Sequence, residues 1–183
     1  MNNKINVRFG IVALMVLIAA FSRFILPPNL TSIGAIALFG GAYFANKKWA
    51  YLLPLAALWI SNLILDNVFL SHYYEGFVWF ANPLIYVAFL LIVGIGHFFL
   101  KKVKPGRLLL ASLGASVLFF IISNLDTFLF WNLYPKTPEG LLACYTAAIP
   151  FFWNTLLGDL LFTAILFGVF EFMQSRIPEL KPG

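Results

Sequence analysis

Apolar residues fall in six long runs, 9–26, 30–45, 49–68, 77–100, 108–131 and 150–172, parted by breaks most of which hold lysine, proline or asparagine. None of the runs alternates apolar and polar with the period of two that a half-buried strand shows, so the pattern predicts helices. Most are long enough to cross a hydrocarbon core of about 30 Å at 1.5 Å per residue. The second is the shortest, and its length alone also allows a re-entrant segment. A rigid Pro27-Pro28-Asn29 turn precedes it, with Thr31 and Ser32 as N-cap candidates. Its small residues Ala37, Gly41 and Ala45 are spaced four apart, which lets helix backbones approach closely in lipid. This run is expected to be the central packing helix of a bundle. Pro150 opens the last run at a first helical position, where it costs no hydrogen bond. In the longest connection, Thr137-Pro138-Glu139 starts a short surface helix that ends near Ala147.

Composition agrees with this pattern. Apolar residues are 62% of the chain and charged residues 10%, more apolar surface than a soluble domain of 183 residues hides. The expected class is an all-α integral membrane protein with a single domain, residues 1–183. Any ATPase would be a separate polypeptide. The basic start and first run resemble a signal peptide, but five further runs and the absence of a small-x-small cleavage site favour a retained span. The formal charge of +5 carries topology rather than nucleic-acid binding. Lys4, Arg8, Lys47, Lys48, Lys101, Lys102, Lys104, Arg107, Arg176 and Lys181 mark one side of the membrane, and only Arg23 and Lys136 the other. Ten against two predicts a six-span bundle with both termini cytoplasmic. Cys144, the single cysteine, excludes an internal disulfide and a cysteine-cluster metal site, and falls on the external side.

Polar residues inside spans are costly, so their positions are informative. Trp59, Asn62 and Asp66 share one face of the third run, and Trp79, Asn82 and Tyr86 repeat that spacing in the fourth. The fifth carries Asn124, Asp126 and Trp131, and the sixth Trp153, Asn154 and Asp159. Under this topology nearly all lie in the outer half of the membrane, and Arg23 joins them. The functional reading is an outward-facing site in which aromatics supply flat contact and Asn, Asp and Arg fix orientation. Its candidate ligand-binding residues are Arg23, Trp59, Asn62, Asp66, Trp79, Asn82, Asn124, Asp126, Trp153, Asn154 and Asp159. Each has a plainer reading. Tryptophans near span ends form aromatic belts. Intramembrane asparagines act as interhelical glue. Arg23 with Asp66 or Asp126 makes a structural ion pair. Asp159 beside Gly158 is packed and hydrogen-bonded. His72-Tyr73-Tyr74-Glu75 in the external third loop is a lid or an ordinary wet loop. Catalytic motifs of the HExxH, GxSxG and Walker types are missing, and His72 and His97 fall on opposite sides. Neither an enzyme, a metal site nor a cofactor is expected.

Two blocks carry a resemblance. Arg23, followed by Pro27-Pro28-Asn29-Leu30-Thr31-Ser32-Ile33-Gly34-Ala35-Ile36-Ala37-Leu38-Phe39-Gly40-Gly41-Ala42-Tyr43-Phe44, and the later Tyr145-Thr146-Ala147-Ala148-Ile149-Pro150-Phe151-Phe152-Trp153-Asn154-Thr155-Leu156-Leu157-Gly158-Asp159, resemble an uncharacterised bacterial family of small six-span membrane proteins. That family resembles the S components, the substrate-binding subunits, of energy-coupling-factor vitamin transporters. The resemblance implies residence in the bacterial inner membrane and capture of a vitamin-like small molecule from outside, with a separate transmembrane coupling subunit and ATPases as partners. S components dock that subunit through an alanine-x-x-x-alanine face on the first span. This chain departs from it, with Ala13, Ala19 and Ala20 in the first run and the small-residue ladder in the second. The rival expectation is a structural or assembly subunit that uses Ala37, Gly41 and Ala45 to bind another membrane protein.

Overall fold

In the computed structural model, residues 2–26, 30 and 32–181 are described, with side chains from residue 7 onward. The Pro27-Pro28-Asn29 turn and Thr31 lie outside the described residues. Six α-helices follow in order: α1 (Asn2–Ser22), α2 (Ile33–Tyr43), α3 (Lys47–Ile64), α4 (Pro83–Phe99), α5 (Pro105–Phe130) and α6 (Pro138–Arg176). A π-helical turn, Leu65–Phe69, prolongs α3, and short 3-10 turns cover Ser71–Tyr73 and Pro178–Leu180. No strand occurs among the described residues. The stretch Lys47–Phe69, α5 and α6 are each long and apolar enough to cross a membrane, whereas Val7–Ser22, α2 and α4 are shorter apolar helices.

Local chemistry accounts for the boundaries that differ from expectation. The first helix stops at Ser22, and Arg23 lies in the turn that follows. The fourth starts at Pro83 rather than Phe77, because proline at the first helical position has no amide to leave unsatisfied. Phe77 to Asn82 instead form an irregular strap. The Asn67 side chain clasps it, accepting from the Val78 amide at 2.7 Å and donating to the Val78 carbonyl at 2.8 Å. No separate surface helix precedes Pro150. Thr137 caps a single 39-residue helix through the Gly140 amide, and Pro150 is accommodated inside it. At 1.5 Å per residue α6 is about 58 Å long, so it extends well beyond a hydrocarbon core.

The helix α2 sits at the centre and touches all five others. Every residue from Ile33 to Gly41 is buried. Its glycines set how close the neighbours come. A Cβ on Gly41 would collide with the Val93 carbonyl of α4, and one on Gly96 with the Leu38 carbonyl, so the two backbones meet there without intervening side chains. On another face Gly40 lies against the ring of Pro54 in α3. Ala37 is buried with Gly41, but Ala45 is exposed and lies beyond the end of α2, so the expected ladder has two rungs rather than three. Towards α6, Phe39 packs edge-on against Phe167 and Phe170 at 5.4 and 5.6 Å, and Tyr43 donates to Glu171.

Candidate functional site

Chain direction decides which side chains can meet. Gly34 faces Asp159, and Tyr43 faces Glu171, so α2 and α6 run parallel. Ser32 donates to the Ala19 carbonyl while Phe44 packs on Phe9, so α1 and α2 are antiparallel. One end of the bundle therefore gathers the end of α1, the starts of α2 and α4, the later half of α5 and the segment of α6 around Pro150. Lys47, Arg107 and Arg176 lie at the opposite ends of their helices, and Lys101 just beyond the opposite end of α4.

At the first end lies an open cleft of about 340 Å³. Helix α5 contributes Phe119, Phe120, Ser123, Asn124 and Thr127, residues that recur every three to four positions and so share a face. The facing wall is Ala148, Phe151, Phe152 and Thr155 of α6, with the same periodicity. Asn82 and Ile85 from the start of α4, Ile33 from α2 and Arg23 complete the lining. Of the residues expected from sequence, Arg23, Asn82 and Asn124 reach the cleft. The hydroxyls of Ser123, Thr127 and Thr155 and the four phenylalanines were not foreseen. The periodicity of Ser123, Asn124 and Thr127 was the available signal. It was masked because each of these side chains also bonds its own helix, as Thr127 does to the Ser123 carbonyl at 3.1 Å.

The remaining expected residues do other work. Arg23 donates from one terminal nitrogen to Ser61 Oγ at 2.5 Å and Asn62 Oδ1 at 2.9 Å, and its buried Nε has no partner among the described residues. Asn62 thus supports Arg23 from behind and donates to the Tyr86 hydroxyl at 3.3 Å. Asp66 acts on Arg23 only through space and does not line the cleft. Trp59 ties down the strap by donating to the Trp79 carbonyl at 3.3 Å and stacking on Phe80. Trp79 and Trp153 are 61% and 60% exposed and do not line the cleft. Asn154 is on the exposed side of α6, outside the lining.

The two buried aspartates are helix caps. Neither α2 nor α4 is capped by its own N-cap side chain. Asp159, 1% exposed, accepts from the Gly34 amide at 2.9 Å, from the Ala35 amide and from Ser116 Oγ at 2.8 Å. A carboxylate of α6 thereby satisfies the orphan amides and meets the positive end of α2. Asp126 of α5 does the same for α4, accepting from the Leu84 amide at 2.7 Å, while its second oxygen is buried without a partner among the described residues. Both aspartates sit behind the cleft rather than in it.

At the rim, Trp131 donates to Asn82 Oδ1 at 3.0 Å, and Tyr74 packs edge-on against the Trp131 ring at 5.7 Å. The third loop therefore reaches the cleft only indirectly, through Trp131, on which Tyr74 packs; the Tyr74 phenol is pushed up to about 12 by burial and by the nearby Asp66. Its neighbours His72, Tyr73 and Glu75 are exposed. Cys144 is buried within α6, its thiol 3.6 Å from the Asn124 carbonyl.

Residues 3–180 match a family of unknown function, DUF6580. The chain belongs to the DUF6580 family. No curated protein and no solved structure matches it. Among the described residues of this DUF6580 protein, no three His, Cys, Asp or Glu side chains are grouped to hold a metal. What the cleft offers is one guanidinium, two amides, three hydroxyls and four aromatic rings, a set suited to holding a small molecule in a fixed orientation.

Proposed function

We propose that this DUF6580 protein crosses the bacterial cytoplasmic membrane six times, with both termini inside, and binds a vitamin-like small molecule from the outer face. Like an S component, it would hand that molecule on through a separate coupling subunit driven by ATPases. The observation that carries the reading is the cleft of about 340 Å³, into which four helices and the turn after α1 bring Arg23, Asn82, Asn124, Thr155 and the phenylalanines. Its volume falls within the about 300–1,000 Å³ of small-molecule sites. It opens at the end away from Lys47, Lys101, Arg107 and Arg176, which the positive-inside rule puts outside. The alternating helix directions support six traverses. Helix α2, about 16 Å long at 1.5 Å per residue, is short for a span but is enclosed by the other five helices. An assembly subunit would need its small-residue face for a partner, yet Ala37 and Gly41 are buried within the chain.

The test is to purify the protein in lipid nanodiscs, release its contents with organic solvent and identify them by mass spectrometry. Near-stoichiometric recovery of one small molecule, reduced in Asn124→Ala and Thr155→Ala, is the expected result. Recovery no greater than from empty nanodiscs, with no thermal shift from a panel of vitamins and their precursors, would refute the reading.

A further inference from the structure

Among the described residues, Arg23 is the one charged side chain that lines the cleft, and no acidic residue lines it. A guanidinium at membrane depth needs a counter-charge, because desolvation there is expensive. Its hydrogen bonds go to Ser61 and Asn62, both neutral. The nearby aspartates are occupied differently. Asp159 is committed to the start of α2, and Asp126 to the start of α4. Asp66 attracts Arg23 through space but stands outside the lining. The positive end of α2, where Ile33 reaches the cleft, is already met by Asp159, whereas Arg23 is balanced only through space by Asp66 and has no carboxylate bonded to it among the described residues. Around it the walls are flat and apolar, chiefly Phe119, Phe120, Phe151 and Phe152.

We infer that the cleft selects a small organic anion, a carboxylate carried on a planar ring system, with Arg23 as its counter-ion and the phenylalanines against its ring. This rests on the cleft being a ligand site. Contact to guanidinium discriminates, since a carboxylate gains a charge–charge interaction, an amide of the same shape only a charge–dipole one, and an ammonium meets a like charge. Hydroxyls and amides around the cleft, Ser123, Thr155 and Asn124 among them, can bond further polar groups of the ligand without changing its required charge.

The experiment uses the full chain in nanodiscs and three probes of one shape: naphthalene-2-carboxylate, naphthalene-2-carboxamide and naphthalen-2-ylmethylammonium. Binding is read by calorimetry at low salt. The carboxylate should bind at least tenfold more tightly than the amide, and the ammonium more weakly than either. Arg23→Gln should bring the carboxylate to within threefold of the amide and leave the amide nearly unchanged. Should Arg23→Gln not fold, Arg23→Lys replaces it: the charge preference should persist while the absolute affinity falls. Equal or tighter binding of the amide or the ammonium to the wild-type protein overturns the anion inference but leaves the ligand site standing. If none of the three binds but solvent extraction recovers a small molecule, the anion inference alone is overturned; if none binds and extraction recovers nothing, the ligand-site reading fails and the inference with it.

Discussion

Replacing Asp159 by alanine should cost more stability than any other single truncation of a polar side chain in the chain. The carboxylate is 1% exposed and accepts from the amides of Gly34 and Ala35 and from Ser116 Oγ. In the variant both amides lose their partner where water is scarce, at about 1–3 kcal/mol each. The positive end of α2 also loses its anion, worth about 0.3–2 kcal/mol. Ser116 is spared, because it also donates to the Ser112 carbonyl at 3.1 Å. The sum is about 2–8 kcal/mol, a large part of a typical total stability of about 5–15 kcal/mol. For a chain of this size that lowers the melting temperature by at least about 4 °C. Asp159→Asn keeps one acceptor oxygen and should lose about 1–2 kcal/mol, and Ser116→Ala about 1 kcal/mol. The double variant Asp159→Asn/Ser116→Ala should be non-additive by more than about 0.5 kcal/mol, because the two side chains touch. Tryptophan fluorescence during thermal unfolding in one fixed detergent is the assay. An Asp159→Ala protein that melts within about 2 °C of wild type would show that α2 is not held by this carboxylate.

The glycines give a prediction of opposite signs for one substitution. Gly34→Ala puts a Cβ 2.6 Å from the bonded Asp159 carboxylate, and Gly41→Ala drives one into the Val93 carbonyl, so both should destabilise despite alanine's helix preference of about 1 kcal/mol. Gly114→Ala, with nothing within 4 Å, should be neutral or stabilising in the same melting assay; equal effects at all three positions would remove the close-packing account. Asp126→Ala orphans the Leu84 amide and should cost about 1–3 kcal/mol, while Asp126→Asn, which keeps an acceptor, should cost less; the reverse order in denaturation midpoints would contradict the capping role. For topology, buried Cys144 is a poor probe, so a Cys144→Ala background with single cysteines at exposed Glu75 or Lys102 is preferable. A membrane-impermeant maleimide on intact spheroplasts should label Glu75→Cys and leave Lys102→Cys untouched, and the opposite labelling would invert the proposed orientation.

Much of the architecture was legible in the linear pattern because it rests on local quantities. Six apolar runs, the lysines between them and the small residues Ala37 and Gly41 are enough to predict helices, a membrane setting and a central packing element. The start of α4 was misplaced although its signal is local, since the run 77–100 passes over Pro83, the boundary itself. The site was legible only in part. Asn62, Asn82 and Asn124 look alike in sequence, each an amide in an apolar run. Only the packing separates Asn82 and Asn124, which line the cleft, from Asn62, which braces Arg23. The aspartates show the limit most clearly. No periodicity in α6 reveals that Asp159 closes the start of α2, 125 residues earlier, because the need it meets belongs to the amides of another helix. Backbone groups without partners are created by where a helix stops, and which side chain arrives to satisfy them is decided by which helices the fold brings alongside.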